Sequence, residues 1–216
     1  MRTIVAAAMS GALLVGGCSK GPEVYGPPTM ASTLVDASEF AGGYVRYWQG
    51  IGVGSIAVSR VIALGPGDLY LCNTRVNGVT KTVEMRSNTI AETCISAGKV
   101  VAGDIVLGEE GLRAFTAESE RSGLMQKKVN EFAIAHEVGH LVQIASGVEP
   151  QNAIPAKYEM QADCLAGKAV AVVNPSLASE AKAFYSHVDS TLSVKSHGTW
   201  VQRLEAFNHG ATVGTC

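Results

Sequence analysis

What this chain has little of narrows its function first. Its formal net charge is −2, with 17 Lys and Arg against 19 Asp and Glu, so the composition offers no surplus of cations to neutralise phosphates. Aromatic residues make up only 6%, too few to suggest a stacking surface for bases. Nucleic acid is therefore not expected as a partner. No internal repeat and no low-complexity tract interrupts the chain. Long apolar runs are also scarce, and the one near the start, Ile4 to Gly17 behind Arg2, is too short and too rich in Gly and Ala for a stable membrane span. What remains is an ordinary globular composition, 47% hydrophobic in 216 residues, enough for one domain with its own core.

The apolar run has the length of a signal peptide and stops at "LVGGC". That ending resembles the lipobox of bacterial lipoproteins, an aliphatic residue and two small ones before cysteine. The resemblance implies removal of residues 1–17 and an acylated Cys18 as the first mature residue, with more than the single chain that anchors only marginally. Ser19 rather than Asp at the next position goes with sorting to an outer membrane. The expectation is a protein of the bacterial cell envelope, lipid-anchored on the periplasmic face of the outer membrane; the alternative is an ordinary signal sequence cleaved nearby. "SKGPEVYGPPTM" then reads as a tether, so that residues 18–30 link the lipid to a domain over 31–216.

Five cysteines are an odd number, but assigning Cys18 to lipid leaves Cys72, Cys94, Cys164 and Cys216. In an exported chain four cysteines suggest two disulfides, with three possible pairings. None of the spacings is that of a zinc ribbon.

The first half of the domain reads as strands. A helix capped by Asp36, with Glu39 as its capping-box partner, precedes them. "SIAVSRVIAL" alternates like a half-buried strand, and strand-like residues flank Asn77-Gly78, a hairpin signal. "KVVAGDIVLG" is a further strand. From Gly111 onward the pattern is helical: about Gly123 to Ser146, stopping near Gly147; a helix opening at Pro155 and ending before Asn174-Pro175; roughly Ser176 to Val188; and a last one with a Thr199–Gln202 capping box, closed by Gly210. The fold class expected is α+β, a small antiparallel or mixed sheet followed by a helical half.

Chemistry concentrates in "HEVGH". Residues four apart on a helix share a face, so His136 and His140 can aim two imidazoles at one ion. Glu137 lies one step round, beside the ion, where its carboxylate can take a proton from water. "FAIA" before and "LVQIA" after make this helix mostly apolar, where two histidines and a glutamate are costly unless satisfied. A catalytic zinc needs a third protein ligand and an open position. Ser146 stands where a metzincin would carry its third histidine. Glu159 and Asp163, one turn apart on the next helix, instead resemble the E-x-x-x-D pair of gluzincins: Glu159 as third ligand, Asp163 accepting the outer N–H of a ligand histidine.

"FAIAHEVGHLVQ", "YEMQADCLAGKAV" and "SHGTWVQRLEAFNHG", in that order, resemble the bacterial neutral zinc metallopeptidase family from about Asp36 to the C-terminus. The resemblance implies a zincin-like fold with the zinc site in its helical half, and a zinc-dependent endopeptidase acting on peptide or protein substrates. It also implies the pairings Cys72–Cys94 and Cys164–Cys216. His197 is similar to a histidine able to steady the oxyanion, and Arg203 is placed to pair with Asp163 or another carboxylate near the zinc. His187 and His209 are read as structural or solvated, and Tyr158 as a core residue. Two departures are Leu141, where the family often has a third histidine, and a longer hairpin at Asn77-Gly78. The strand "KVVAGDIVLG" is expected to line the cleft and receive an extended substrate. The competing readings are a non-catalytic envelope lipoprotein with a structural zinc, and a zinc hydrolase of non-peptide amides.

Overall fold

The computed structural model describes residues 2–3, 22–76, 79–96, 100–120, 124–148, 155–187 and 194–216. Cys18 and the Asn77-Gly78 turn lie outside them, as does the whole apolar run from Ile4 to Gly17. Seven strands are described: β1 (Arg2–Thr3), β2 (Glu23–Tyr25), β3 (Ile56–Leu64), β4 (Asp68–Val76), β5 (Val79–Arg86), β6 (Ala91–Ser96) and β7 (Val101–Gly108). The helices are α1 (Ala31–Gly50), α2 (Glu109–Glu120), α3 (Gln126–Ala145), α4 (Pro155–Val173), α5 (Pro175–Ala178), α6 (Ala181–Tyr185), α7 (Val194–His197) and α8 (Trp200–Val213). This is an α+β fold with its strands in the first half and most of its helices in the second.

The four-stranded sheet runs β2-β3-β7-β6, parallel across β2, β3 and β7, with β6 antiparallel at one edge. Alternation divides its residues between two cores. Val61, Ala63, Ile105 and Leu107 face the helices, where Phe132, Leu141, Val170 and Phe207 bury the main core. Ile62, Leu64 and Val106 face the other way, onto Cys72 and Met85 of the β4–β5 hairpin. That hairpin is antiparallel up to Val76 and Val79, the residues flanking Asn77-Gly78, and β1 lies parallel to its other strand at Asp68 and Leu69. Helix α3 runs through the centre with fourteen of its twenty residues buried, and its Phe132 stacks on Phe184 of α6.

Two close approaches set α4 in place. A Cβ on Gly167 would collide with the backbone of Phe207, and one on Gly210 with the backbone of Cys164, so α4 and α8 meet nearly backbone to backbone. Gly210 therefore does not close the last helix. That helix runs on to Val213, where Gly214 at φ 74° forms the left-handed cap. Its start is as read, with Thr199 and Gln202 bonding reciprocally.

Other boundaries shift for physical reasons. Helix α1 starts at Ala31, because buried Met30, Thr33 and Leu34 already pack there; Asp36 lies inside it and pairs with Lys127 at 2.9 Å. The segment read as a tether joins the fold from residue 22: Val24 packs on the main core and β2 takes up the free edge of β3. The helix read over 176–188 is broken into α5 and α6 as far as it is described. Ser179 and Ser186 each bond a carbonyl three residues back, competing with the helical ladder. Strand β6 and helix α2 are additions that periodicity did not single out.

Both cysteine pairs are disulfides: Cys72–Cys94 joins the hairpin to β6, and Cys164–Cys216 ties the last residue to α4. They close spans of 22 and 52 residues, for which chain entropy gives roughly 3–4 kcal/mol each as an upper figure. The Cys164→Ser, Cys216→Ser double variant should lose about 2–4 kcal/mol in urea unfolding. A midpoint equal to wild type would show that this bond constrains nothing. Among the described residues no helix is long and apolar enough to cross a membrane.

Candidate metal centre

His136 and His140 stand on the inner face of α3, and Glu159 reaches them from α4. The donors converge because α3 and α4 touch closely at Gly139. A Cβ there would stand 2.7 Å from the carbonyl oxygen of Ala162, so the glycine of "HEVGH" is what lets α4 approach. His136 Nε2 is 3.1 Å from Glu159 Oε2, and His140 Nε2 is 3.7 Å from Glu159 Oε1. The two imidazole rings are edge to face at 4.7 Å. Among the described residues these three form the one group of His, Cys, Asp and Glu able to hold a metal, with ligand atoms all within 4.8 Å of one another.

Both histidines have their other nitrogen taken. His136 Nδ1 donates to Asp163 Oδ1 at 2.9 Å, and His140 Nδ1 donates to Gln143 Oε1 at 2.7 Å. With each Nδ1 so engaged, each Nε2 faces the shared space, and loss of its proton there gives the tautomer that metal binding requires. Gln143 was not singled out in the sequence, although it lies three residues from His140, within reach on the same helix face. Its amide donates to the Tyr158 carbonyl at 2.7 Å and to Gln161 Oε1 at 3.0 Å. Tyr158 itself stacks on His140 at 5.0 Å and fixes the ring plane.

Asp163 is fully buried and fully occupied. Arg203 holds it with both forks, Nε to Oδ2 at 2.6 Å and Nη2 to Oδ1 at 2.8 Å, and the Tyr185 hydroxyl donates to Oδ1 at 2.9 Å. Burial alone would raise this carboxyl, but the Arg203 guanidinium and His136 outweigh it and hold it below its ordinary value. Glu159 is likewise lowered: burial opposes ionisation, and the hydrogen bond and charge of His136 overcome it. Of the two histidines, burial and the neighbouring His136 lower His140 to about 4, while in His136 the effect of burial is overcome by Asp163 and Glu159, raising it to about 10.

Glu137 lies one step round α3 from the two histidines, on the side that meets the sheet. It is 5% exposed, and its Oε2 accepts from the Thr93 hydroxyl of β6 at 2.6 Å. Burial raises it to about 7, against the lowering effects of His136 and the Thr93 bond, the range a general base needs at neutral pH. Beside it is the sheet edge, and here the reading of the cleft needs correcting. Strand β7 lies between β3 and β6, so its backbone is already paired on both sides; the strand at the edge is β6. Leu141 fills the core where a further histidine was considered, its Cδ2 packed against Gly103 of β7.

His197 ends α7, with Nδ1 2.8 Å from the Ser196 hydroxyl. The following residue, Gly198, adopts φ 80° beside Met160, so this turn packs next to Glu159 in the chain. The structure thus brings together His136, His140, Glu159, Asp163, Arg203 and Glu137, and places His197 on a neighbouring turn. No protein-family model, curated protein or solved structure matches the chain.

Proposed function

We propose that the protein is a zinc-dependent endopeptidase of the cell envelope, similar to gluzincins and to the neutral zinc metallopeptidases, with a zincin-like fold. The observation that carries this reading is the place of Glu137. It is a buried carboxylate beside a three-donor group but not one of its donors. A centre serving only the fold needs four closed ligands and no neighbouring base; three donors and a base are the pattern of a hydrolase. Two imidazole nitrogens with oriented tautomers and one carboxylate oxygen fit a single zinc ion. When bound, zinc supplies Lewis acidity toward water and toward the carbonyl to be cleaved.

The residues of the chain do the rest. His136, His140 and Glu159 hold the ion, with Asp163 and Gln143 fixing the two rings. Glu137 takes the proton from the attacking water and passes it to the leaving amine. Among the described residues β6 is the edge strand of the four-stranded sheet, where an extended substrate could add as one more strand. A lipid on Cys18 would hold the domain at the membrane surface. Incubating zinc-loaded protein with an envelope proteome and mapping new N-termini tests the reading. New termini that a chelator prevents are expected; their absence at every zinc level would contradict it.

His197 is assigned to the substrate carbonyl, as a donor to the oxygen on which charge develops. His197→Ala should keep its zinc and a KM near wild type, with kcat lower by on the order of a hundredfold. Lost zinc would make His197 a ligand, and an unchanged rate would leave it as a helix-end residue.

A further inference from the structure

Thr93 of β6 bonds directly to Glu137, and nothing in the metal set requires it. Its hydroxyl is 2.6 Å from Glu137 Oε2 and 3.2 Å from the backbone oxygen of the same residue. One hydroxyl hydrogen cannot serve both fully, and the shorter, charge-assisted contact takes it. The side chain is fixed from behind as well. A Cβ on Gly103 of β7 would come within 3.0 Å of the Thr93 methyl and 2.9 Å of Leu141, so the missing side chain at 103 makes the seat for that methyl. With the methyl seated and χ1 stiff from β-branching, the hydroxyl has one direction. The next residue, Cys94, is bonded to Cys72 of the hairpin, which pins the edge strand at this point.

We propose that Thr93 is the positioning residue for the general base: its hydroxyl, held by β6, fixes Glu137 Oε2 so that Oε1 is the oxygen that receives the proton. The inference rests on the peptidase reading of the site. It separates Thr93 from a merely structural residue, because the hydroxyl matters for the base while the methyl matters for the seat. Thr93→Val keeps shape and removes the donor; Thr93→Ser keeps the donor and removes the methyl.

The test measures three things on zinc-loaded protein: zinc content, the split of kcat from KM, and the affinity for acetohydroxamate, a small chelator that gives up a proton to a carboxylate beside the ion. Thr93→Val should keep its zinc and KM and lose about ten- to a hundredfold in kcat, the range expected for a misplaced catalytic group, with Thr93→Ser close to wild type. Acetohydroxamate should bind more weakly to Thr93→Val, and that weakening should vanish when Glu137→Gln is already present, since the effect runs through Glu137. If Thr93→Val fails to fold, Thr93→Ala replaces it in every arm. An unchanged kcat in the hydroxyl-free variant overturns the proposal, as does a serine variant no better than valine, or a hydroxamate effect that persists without Glu137. The peptidase reading fails separately, if wild type cleaves no peptide; the hydroxamate cycle then still decides whether Thr93 sets Glu137.

Discussion

Glu137→Gln should leave a folded, zinc-loaded protein whose kcat has fallen by about 10²- to 10⁴-fold, the range attributed to general acid–base catalysis. Glutamine has nearly the same shape and can still accept the Thr93 hydrogen bond, so neither the sheet edge nor the helix should move. It cannot take a proton. Zinc should stay because Glu137 is not among the three converging donors. A KM close to wild type would place the loss in the chemical step rather than in binding. Steady-state kinetics beside metal analysis checks both. Equal turnover in the two proteins would remove Glu137 as the base and return weight to a non-catalytic, zinc-stabilised lipoprotein.

The largest loss of stability should come from Arg203→Leu. Arg203 is 3% exposed and Asp163 fully buried, so removing the guanidinium strands a carboxylate in the interior. Breaking one partner of such a pair typically costs about 3–5 kcal/mol, several times what an exposed pair contributes. Arg86–Glu84, with side chains 48% and 55% exposed, is the internal comparison. Its Arg86→Ala variant should change stability by no more than about 1 kcal/mol. Arg203→Lys should fall between, because an ammonium keeps the charge and loses the two-pronged geometry. Urea unfolding of the metal-free proteins measures all three. If Arg203→Leu costs no more than Arg86→Ala, Asp163 is not held ionised by Arg203.

The candidate metal centre was more legible in the sequence than the sheet around it. His136, His140, Glu159 and Asp163 sit on two regular helices, where spacing alone decides which side chains share a face. The glycine between the histidines gave no such signal. Its role is a contact with Ala162 on another helix, which no local pattern encodes. Gln143 was missed for a related reason, since a glutamine beside a histidine carries no mark until the ring is oriented. Strand β6 was missed because "AETCIS" is short and not strictly alternating, and its identity comes from pairing with β7. Thr93 lies on β6, so the edge of the sheet is one strand further out than "KVVAGDIVLG". Gly210 was read as a helix end, whereas its missing side chain serves the packing of α8 on α4.

The claim on which the rest depends is that His136, His140 and Glu159 form one zinc site. Stripped protein titrated with zinc, with bound metal measured after desalting, tests it directly. Wild type should take up one equivalent per chain. His140→Ala and Glu159→Gln should each retain little, while Glu137→Gln and His197→Ala should retain it all. A full equivalent held by His140→Ala would place the ion elsewhere and contradict the account.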